Sequence, residues 1–200
     1  FLKSDFIFGA SKKSLEKISL PNVMVLENWV DESRFRNYSK SKSDYFLYLG
    51  RFEQVKNPNR LIKAWKGVDQ RLVMVGEGTL KAQSQNLIED LNMSDQISLR
   101  PETSNISELF SKTKALLISS DREGSPKVLF ESLFCGVPVL STKCGIMGDL
   151  LPSSCLAEVD DESFKNLISR WINNTSELEK MQKPCFEKVK NENLLSIQAE

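Results

Sequence analysis

Short apolar runs, separated by stretches long enough to hold a helix, constrain this sequence more than any other feature. The runs at residues 45–49, 71–75, 96–99, 115–119 and 137–141 each read as a β-strand. A strand with one wet face alternates apolar and polar residues; these runs do not, so they are expected to be buried on both faces. Parallel strands need crossover connections, usually helices, and those helices cover the sheet. The intervening segments carry helix-start signals: Asn57 ahead of Pro58, Asn105 three residues ahead of Glu108, and Ser125 ahead of Pro126. Leu61, Ile62 and Trp65 make one apolar stripe, and Val128, Leu129, Phe130, Leu133 and Phe134 make a helix apolar almost all round. Phe164, Leu167, Ile168, Trp171 and Ile172 repeat at helical spacing, and a weaker helical stretch runs from about Ser176 to the end. The expected fold is α/β, a doubly wound parallel sheet of Rossmann-like type, with the runs at 45–49 and 115–119 central.

Composition removes several kinds of chemistry. The 200 residues hold 27 Lys plus Arg against 27 Asp plus Glu, so no global field draws the chain to nucleic acid, and any bound anion must be met by a local cluster. Histidine is absent, which excludes His-based triads and His-ligated zinc from what this chain supplies. Cys135, Cys144, Cys155 and Cys185 show no Cys-x-x-Cys spacing and read as reduced thiols. No apolar run approaches the roughly 20 residues of a membrane helix. There is no Asp-x-Asp metal clamp and no Gly-x4-Gly-Lys phosphate loop, and Gly76-x-Gly78 is followed by Lys81 rather than a third glycine, which disfavours a nicotinamide fold.

In an open parallel sheet, ligands sit beyond the carboxyl ends of the strands, where loops lead into helix N-termini. The first such loop holds Gly50, Arg51 and Lys56. Two cations beside a positive helix end suit a diphosphate, and a solvated basic loop is the alternative. The second holds Gly76-Glu77-Gly78, where absent side chains permit close backbone approach to a ligand, or simply a tight turn. The loop after residue 119 reads Ser120-Asp121-Arg122-Glu123-Gly124-Ser125-Pro126, with Glu131 eight residues beyond Glu123. A carboxylate among apolar helix neighbours needs a partner: ligand hydroxyls would serve, and so would an ion pair with a nearby Lys or Arg.

These residues carry a resemblance. The series Asn28-Trp29-Val30-Asp31, Gly50-Arg51 with Lys56, Val75-Gly76-Glu77-Gly78, Glu123-Gly124 through Glu131-Ser132-Leu133, Gly136-Val137-Pro138-Val139 and Cys144-Gly145 is similar to glycosyltransferase family 4, retaining enzymes of the two-domain GT-B fold. The resemblance implies the nucleotide-sugar half of such an enzyme. It gives Arg51 and Lys56 the donor diphosphate, Glu131 the ribose hydroxyls, and Glu123 with the backbone after it the donor sugar. Catalysis would fall to Glu123, Arg51 and Lys56. Donor binding would involve Gly76, Gly78, Gly124, Ser125, Pro126, Lys127 and Val128 as well. The donor, UDP-linked, is a substrate; no cofactor and no metal are expected. Arg100-Pro101 stands near the base pocket where the family often has glycine, Ser125-Pro126 replaces a common Phe-Gly, and Asp149 sits where Glu is frequent.

The resemblance also divides the chain. Residues 1–44 comprise an apolar piece at 6–8, a basic helical piece at 12–18, an extended piece at 23–26 and a polar stretch from 31. They are expected to be the end of the N-terminal acceptor-side domain and its hinge, followed by the donor domain at 45–175 and a C-terminal helix at 176–200. The chain opens at Phe1 with no initiator Met and no signal sequence, so a longer protein is expected to supply the rest of the N-terminal domain. The acceptor would be a glycan or a lipid-linked sugar in bacterial glycan or polysaccharide biosynthesis. The expected compartment is the cytoplasm, at the inner face of the membrane by peripheral association if the acceptor is lipid-linked. Alone, this half would bind nucleotide and transfer no sugar, with its N-terminal segment and last helix poorly packed and Phe1, Leu2 or Phe6 exposed. The alternative is a non-catalytic nucleotide-binding or interaction domain of the same fold.

Overall fold

The computed structural model describes residues 7–9, 23–25 and 28–194. The basic piece at 12–18 and the side chains of Phe1, Leu2 and Phe6 lie outside the described residues. Two short strands, β1 (Ile7–Gly9) and β2 (Val23–Val25), pair in parallel with Ile7 opposite Val23. The remainder is built on β3 (Tyr45–Leu49), α1 (Pro58–Ala64), β4 (Leu72–Val75), α2 (Lys81–Asp90), β5 (Ile97–Arg100), α3 (Ile106–Ser111), β6 (Thr113–Ile118), α4 (Lys127–Phe134), β7 (Val139–Thr142), α5 (Met147–Leu150), β8 (Leu156–Ala157), α6 (Asp161–Trp171), α7 (Thr175–Met181) and α8 (Lys183–Glu192).

The six strands form one parallel sheet in the order β5-β4-β3-β6-β7-β8. The central pair is β3 and β6, as the sequence predicts. Strand side chains alternate between faces, and the core divides accordingly. Leu47, Val73, Val75, Leu116, Ile118 and Val139 face one cluster with Leu109 and Phe110 of α3, Leu129, Phe130 and Leu133 of α4, and Phe186 and Val189 of α8. Phe46, Tyr48, Leu72, Met74, Ala115, Leu117 and Leu140 face the other, with Leu61 and Ile62 of α1, Ile88 of α2, and Phe164, Leu167 and Ile168 of α6. The start signals at Asn57 and Asn105 act as read: their side chains accept from the backbone N–H of Arg60 and Glu108.

Three expectations are corrected. The run at 96–99 is the edge strand β5, where Ser98 and Arg100 are exposed, so burial on both faces does not hold there. A sixth strand, β8, is two residues long, too short to leave a periodic signal. The stretch from Ser176 is two helices, and the second is well packed rather than loose, with Cys185, Phe186 and Val189 buried and α8 lying against α4.

The break between α7 and α8 has a structural cause. Gln182 is fully buried; its amide Nε2 donates to the Val139 carbonyl at 2.7 Å and its Oε1 accepts from the Val139 N–H at 2.9 Å. The side-chain amide thus stands in for a missing strand beside β7 ahead of its pairing with β8, which begins at Ser141. Gln182→Leu would leave a buried donor and a buried acceptor unpaired, each costing about 1–3 kcal/mol. We expect it to lower unfolding free energy by at least about 2 kcal/mol in urea titrations, whereas Gln182→Glu keeps the acceptor and should cost a different amount that falls as the carboxyl protonates at low pH.

Candidate functional site

The strand order reverses between β3 and β6: β3 leads outward to β4 and β5, β6 outward to β7 and β8. The helix after β3 packs on one face and the helix after β6 on the other, so the two loops diverge and leave a crevice at the switch point. Both loops carry candidate site residues.

The loop after β3 is anchored by Phe52, fully buried and edge-on to Tyr48 with ring centroids 5.4 Å apart. It then turns through Gln54–Lys56 to Asn57, whose φ of 46° is left-handed. Asparagine tolerates that conformation while capping α1 with its side chain. The loop after β6 is tied to this one many times. The Ser119 hydroxyl contacts the carbonyls of Lys56 and Asn57, and the Asp121 N–H donates to the Val55 carbonyl at 2.8 Å. Arg60, buried on α1, donates to the Ser119 carbonyl at 2.9 Å and pairs with Asp121 at 2.7 Å and Asp161 at 3.0 Å. Nothing in local spacing marks Arg60 as more than a surface residue of α1; its importance comes from groups 59 to 101 positions away.

The tie brings Lys56 and Glu123 together. The Lys56 ammonium donates to both Glu123 oxygens, at 2.6 and 2.8 Å, and the Ser120 hydroxyl donates to Glu123 at 2.6 Å. With Gly50, Tyr48 and Val128 they line a small pocket of about 30 Å³ within the crevice, room for about one water-sized group. Arg51 belongs to the same loop but is exposed and makes no ion pair with a described residue. Lys127 is the exposed first residue of α4. Helix α4 starts at Lys127 with Pro126 before it and no side-chain cap, so Ser125 does not cap it; the Ser125 hydroxyl is buried without a hydrogen-bond partner among the described residues, and its carbonyl accepts from Asn28 Nδ2.

Glu131 lies further along α4, buried and paired with Arg34 at 2.7 Å. Burial pushes its carboxyl above the usual carboxylate range, with Asp31 adding to that, and Arg34 and then Lys127 pull it back. The sequence left open whether ligand hydroxyls or a cation would partner this carboxylate, and could not name Arg34, 97 residues away. Gly76 and Gly78 do not line the cleft; they pack behind it. A Cβ on Gly76 would sit 2.0 Å from the Gly50 carbonyl, and one on Gly78 2.4 Å from that of Phe52, so close packing of loop on loop requires both glycines. A separate groove of about 450 Å³ runs beside α3, lined by Tyr45, Val75, Arg100, Pro101, Asn105 and Glu108 among others. Among the described residues no group of three or more His, Cys, Asp or Glu is placed to hold a metal, and no helix is long and apolar enough to cross a membrane.

A parallel sheet of this order with such a crevice is a Rossmann-like architecture, and comparison with known proteins agrees. The profile of the family described as glycosyl transferases group 1 matches residues 30–186, and the chain belongs to that family. It is 30% identical over 205 residues to the N-acetylgalactosamine-N,N'-diacetylbacillosaminyl-diphospho-undecaprenol 4-alpha-N-acetylgalactosaminyltransferase of Campylobacter jejuni, covering 94% of this chain and 55% of that protein. It is 24% identical over 157 residues to the N-acetyl-alpha-D-glucosaminyl L-malate synthase of Bacillus anthracis, covering 70% and 41%. The chain thus spans about half the length of these relatives. Among solved structures, sucrose-phosphate synthase from Thermosynechococcus elongatus superposes with a TM-score of 0.82 at 18% identity, covering 96% of this chain and 55% of that one. Anabaena HepE in complex with UDP and glucose gives 0.81 at 15%, covering 98% and 62%. These similarities show that the fold is the GT-B one.

Gly145 is the other glycine the site requires. Its φ is +56°, and a Cβ there would lie 2.3 Å from the Gly124 carbonyl and 2.5 Å from that of Glu123. Gly136 has a similar φ of +65° but open space around it. Gly136→Ala should therefore cost only the left-handed penalty, about 1–2 kcal/mol, and Gly145→Ala clearly more, because it must also push the Glu123 loop aside. Urea unfolding of the two variants side by side checks this; equal costs would mean the loop yields freely.

Proposed function

We propose that this chain is the donor-binding half of a retaining family 4 glycosyltransferase, holding a nucleoside diphosphate sugar, UDP-linked, at the reversal between β3 and β6. The observation that carries this reading is the Lys56–Glu123 pair at the switch point, with Glu131 about one turn into the helix that follows the Glu123 loop. An ammonium has three donors, and Glu123 uses two of them, so Lys56 keeps one for a phosphate oxygen. Arg51 adds a second cation from the same loop, and the N–H groups at the start of α4, with Lys127, add a positive helix end. Glu123, fixed by Lys56 and Ser120, accepts from hydroxyls of the donor sugar. Glu131 accepts from the ribose diol, and the base lies toward Arg100 and Pro101.

In transfer, the bond between the anomeric carbon and the phosphate oxygen breaks and its electron pair leaves with the diphosphate. Arg51 and Lys56 stabilise the charge that develops there, which needs no histidine and no metal. The acceptor hydroxyl attacks from the face the diphosphate leaves, its oxygen bonding to the anomeric carbon and its proton passing to the departing phosphate oxygen, giving retention. The Campylobacter relative's name specifies an undecaprenol-diphosphate-linked glycan, which supports a glycan or lipid-linked acceptor, met at the inner face of the membrane by an N-terminal domain outside this chain. Positioning both substrates in a closed cleft can be worth about 7–11 kcal/mol of barrier, so the isolated chain binds nucleotide and transfers no sugar.

A charge-assisted contact is worth roughly 1.5–3 kcal/mol, so Arg51→Ala should weaken UDP binding about tenfold or more in calorimetric titrations, with EDTA changing nothing. Glu123→Gln should weaken a UDP-sugar more than UDP. Unchanged affinity in Arg51→Ala, or binding abolished by EDTA, would contradict the assignment.

A further inference from the structure

We propose that Arg34, on the segment that precedes the donor domain, is a positioning residue for nucleotide binding: it holds Glu131 as a fixed, ionised acceptor for the ribose diol. This inference rests on the reading of Glu131 given under Proposed function.

Residues 28–38 are laid along α4 in step with it. Asn28 donates to the Ser125 carbonyl, Arg34 to Glu131, and the Tyr38 hydroxyl to the Cys135 carbonyl at 2.8 Å, each contact spanning 97 residues. A constant offset means the segment advances along the helix residue for residue, so none of the three contacts can slip without the others. Local structure fixes Arg34 further. Asp31 caps the turn Glu32–Phe35 by accepting from the Ser33 N–H at 3.1 Å and its hydroxyl at 2.5 Å. The neighbouring Phe35 is buried with its ring 5.5 Å from Phe134 and 6.4 Å from Phe110. The backbone that carries Arg34 is thus fixed, and its guanidinium, on a side chain 35% exposed, is held against Glu131 by the ion pair.

Its chemical consequence follows from what a diol requires. Two hydroxyls donate to two carboxylate oxygens only when the carboxyl is ionised; a protonated carboxyl turns one acceptor into a donor. Glu131 is buried, and burial disfavours the ionised form. The groups that face it are Arg34 and Asp31 from the preceding segment, Lys127 on its own helix and Cys135 just past that helix's end, with Lys190 of α8 acting on Cys135. Cys135 is itself pushed up, by burial first and then by Glu131, and stays a neutral thiol. Asp31 opposes ionisation of Glu131. Lys127 favours it without an ion pair to it, whereas Arg34, exposed like Lys127, pairs directly with its Oε1 at 2.7 Å. Arg34 is the charge that most favours the ionised form of Glu131 against its burial.

The test is UDP affinity from pH 5.5 to 8.5 for the chain, R34Q, R34K and E131Q. Each variant is expressed as a ratio to the unsubstituted chain at the same pH, so that titration of UDP itself cancels. Removing the cation raises the carboxyl further, so R34Q should lose affinity as pH falls and recover it as pH rises. The ratio should change by about tenfold or more across the range, a factor of ten per unit of pKa shift. R34K should flatten that dependence, and E131Q, with nothing to titrate, should be weak at every pH. A flat R34Q ratio with E131Q still weak overturns this inference alone. Tighter UDP binding by R34Q also overturns it, since Arg34 would then be a competitor for Glu131. E131Q binding as well as the unsubstituted chain overturns the ribose assignment, and this inference with it.

Discussion

The loops that leave β3 and β6 are held to each other by buried hydrogen bonds and charges, and the geometry of the crevice depends on that tie. Lys56 and Glu123 are 67 residues apart and meet because Ser119, Asp121 and Arg60 fasten one loop to the other. Glu123 is almost buried and Lys56 largely so. A pair so placed adds little net stability, because desolvation offsets the attraction, yet stranding either partner costs several kcal/mol. The pair is therefore a preorganised element whose cation can accept a new anion without leaving its carboxylate, which is what a site for a charged leaving group needs.

Helix α4 concentrates three tasks. Its apolar side seals the core with Leu129, Phe130 and Leu133; its start faces the crevice; its middle presents Glu131 to the segment 28–38. The loop leading into it is packed too closely for a side chain at Gly145, as the loop after β3 is for one at Gly76. The segment 28–38 is fastened along this helix through Asn28, Arg34 and Tyr38 rather than serving as a mere tether.

Much of this was legible in the residues. Runs such as Leu72 to Val75 announce themselves because a fully buried parallel strand has no polar face, and Asn57 and Asn105 announce helix starts because their side chains satisfy free N–H groups. The positions of Lys56 and Glu123 follow from the rule that ligands bind at strand carboxyl ends. The edge position of β5 was not legible, because a pattern as short as Ile97–Arg100 cannot tell edge from centre without knowing its neighbours. Neither were Gln182, Arg60 and Arg34. Each is an ordinary polar residue in its local sequence, and each matters through a group dozens of positions away that only the folded chain brings near. Glycines gave a signal without its cause: the motif at Gly76 fitted close approach of a ligand or a tight turn, and the structure shows the Gly50 carbonyl packed against it.

The central claim is that a nucleoside diphosphate is held between the loops following β3 and β6. Amide hydrogen exchange of the chain with and without saturating UDP tests it directly. The account predicts slowed exchange in two separate stretches, residues 50–57 and 119–131, with little change in α6 and α7 on the other side of the sheet. Slowed exchange absent from both stretches while UDP is demonstrably bound would contradict it.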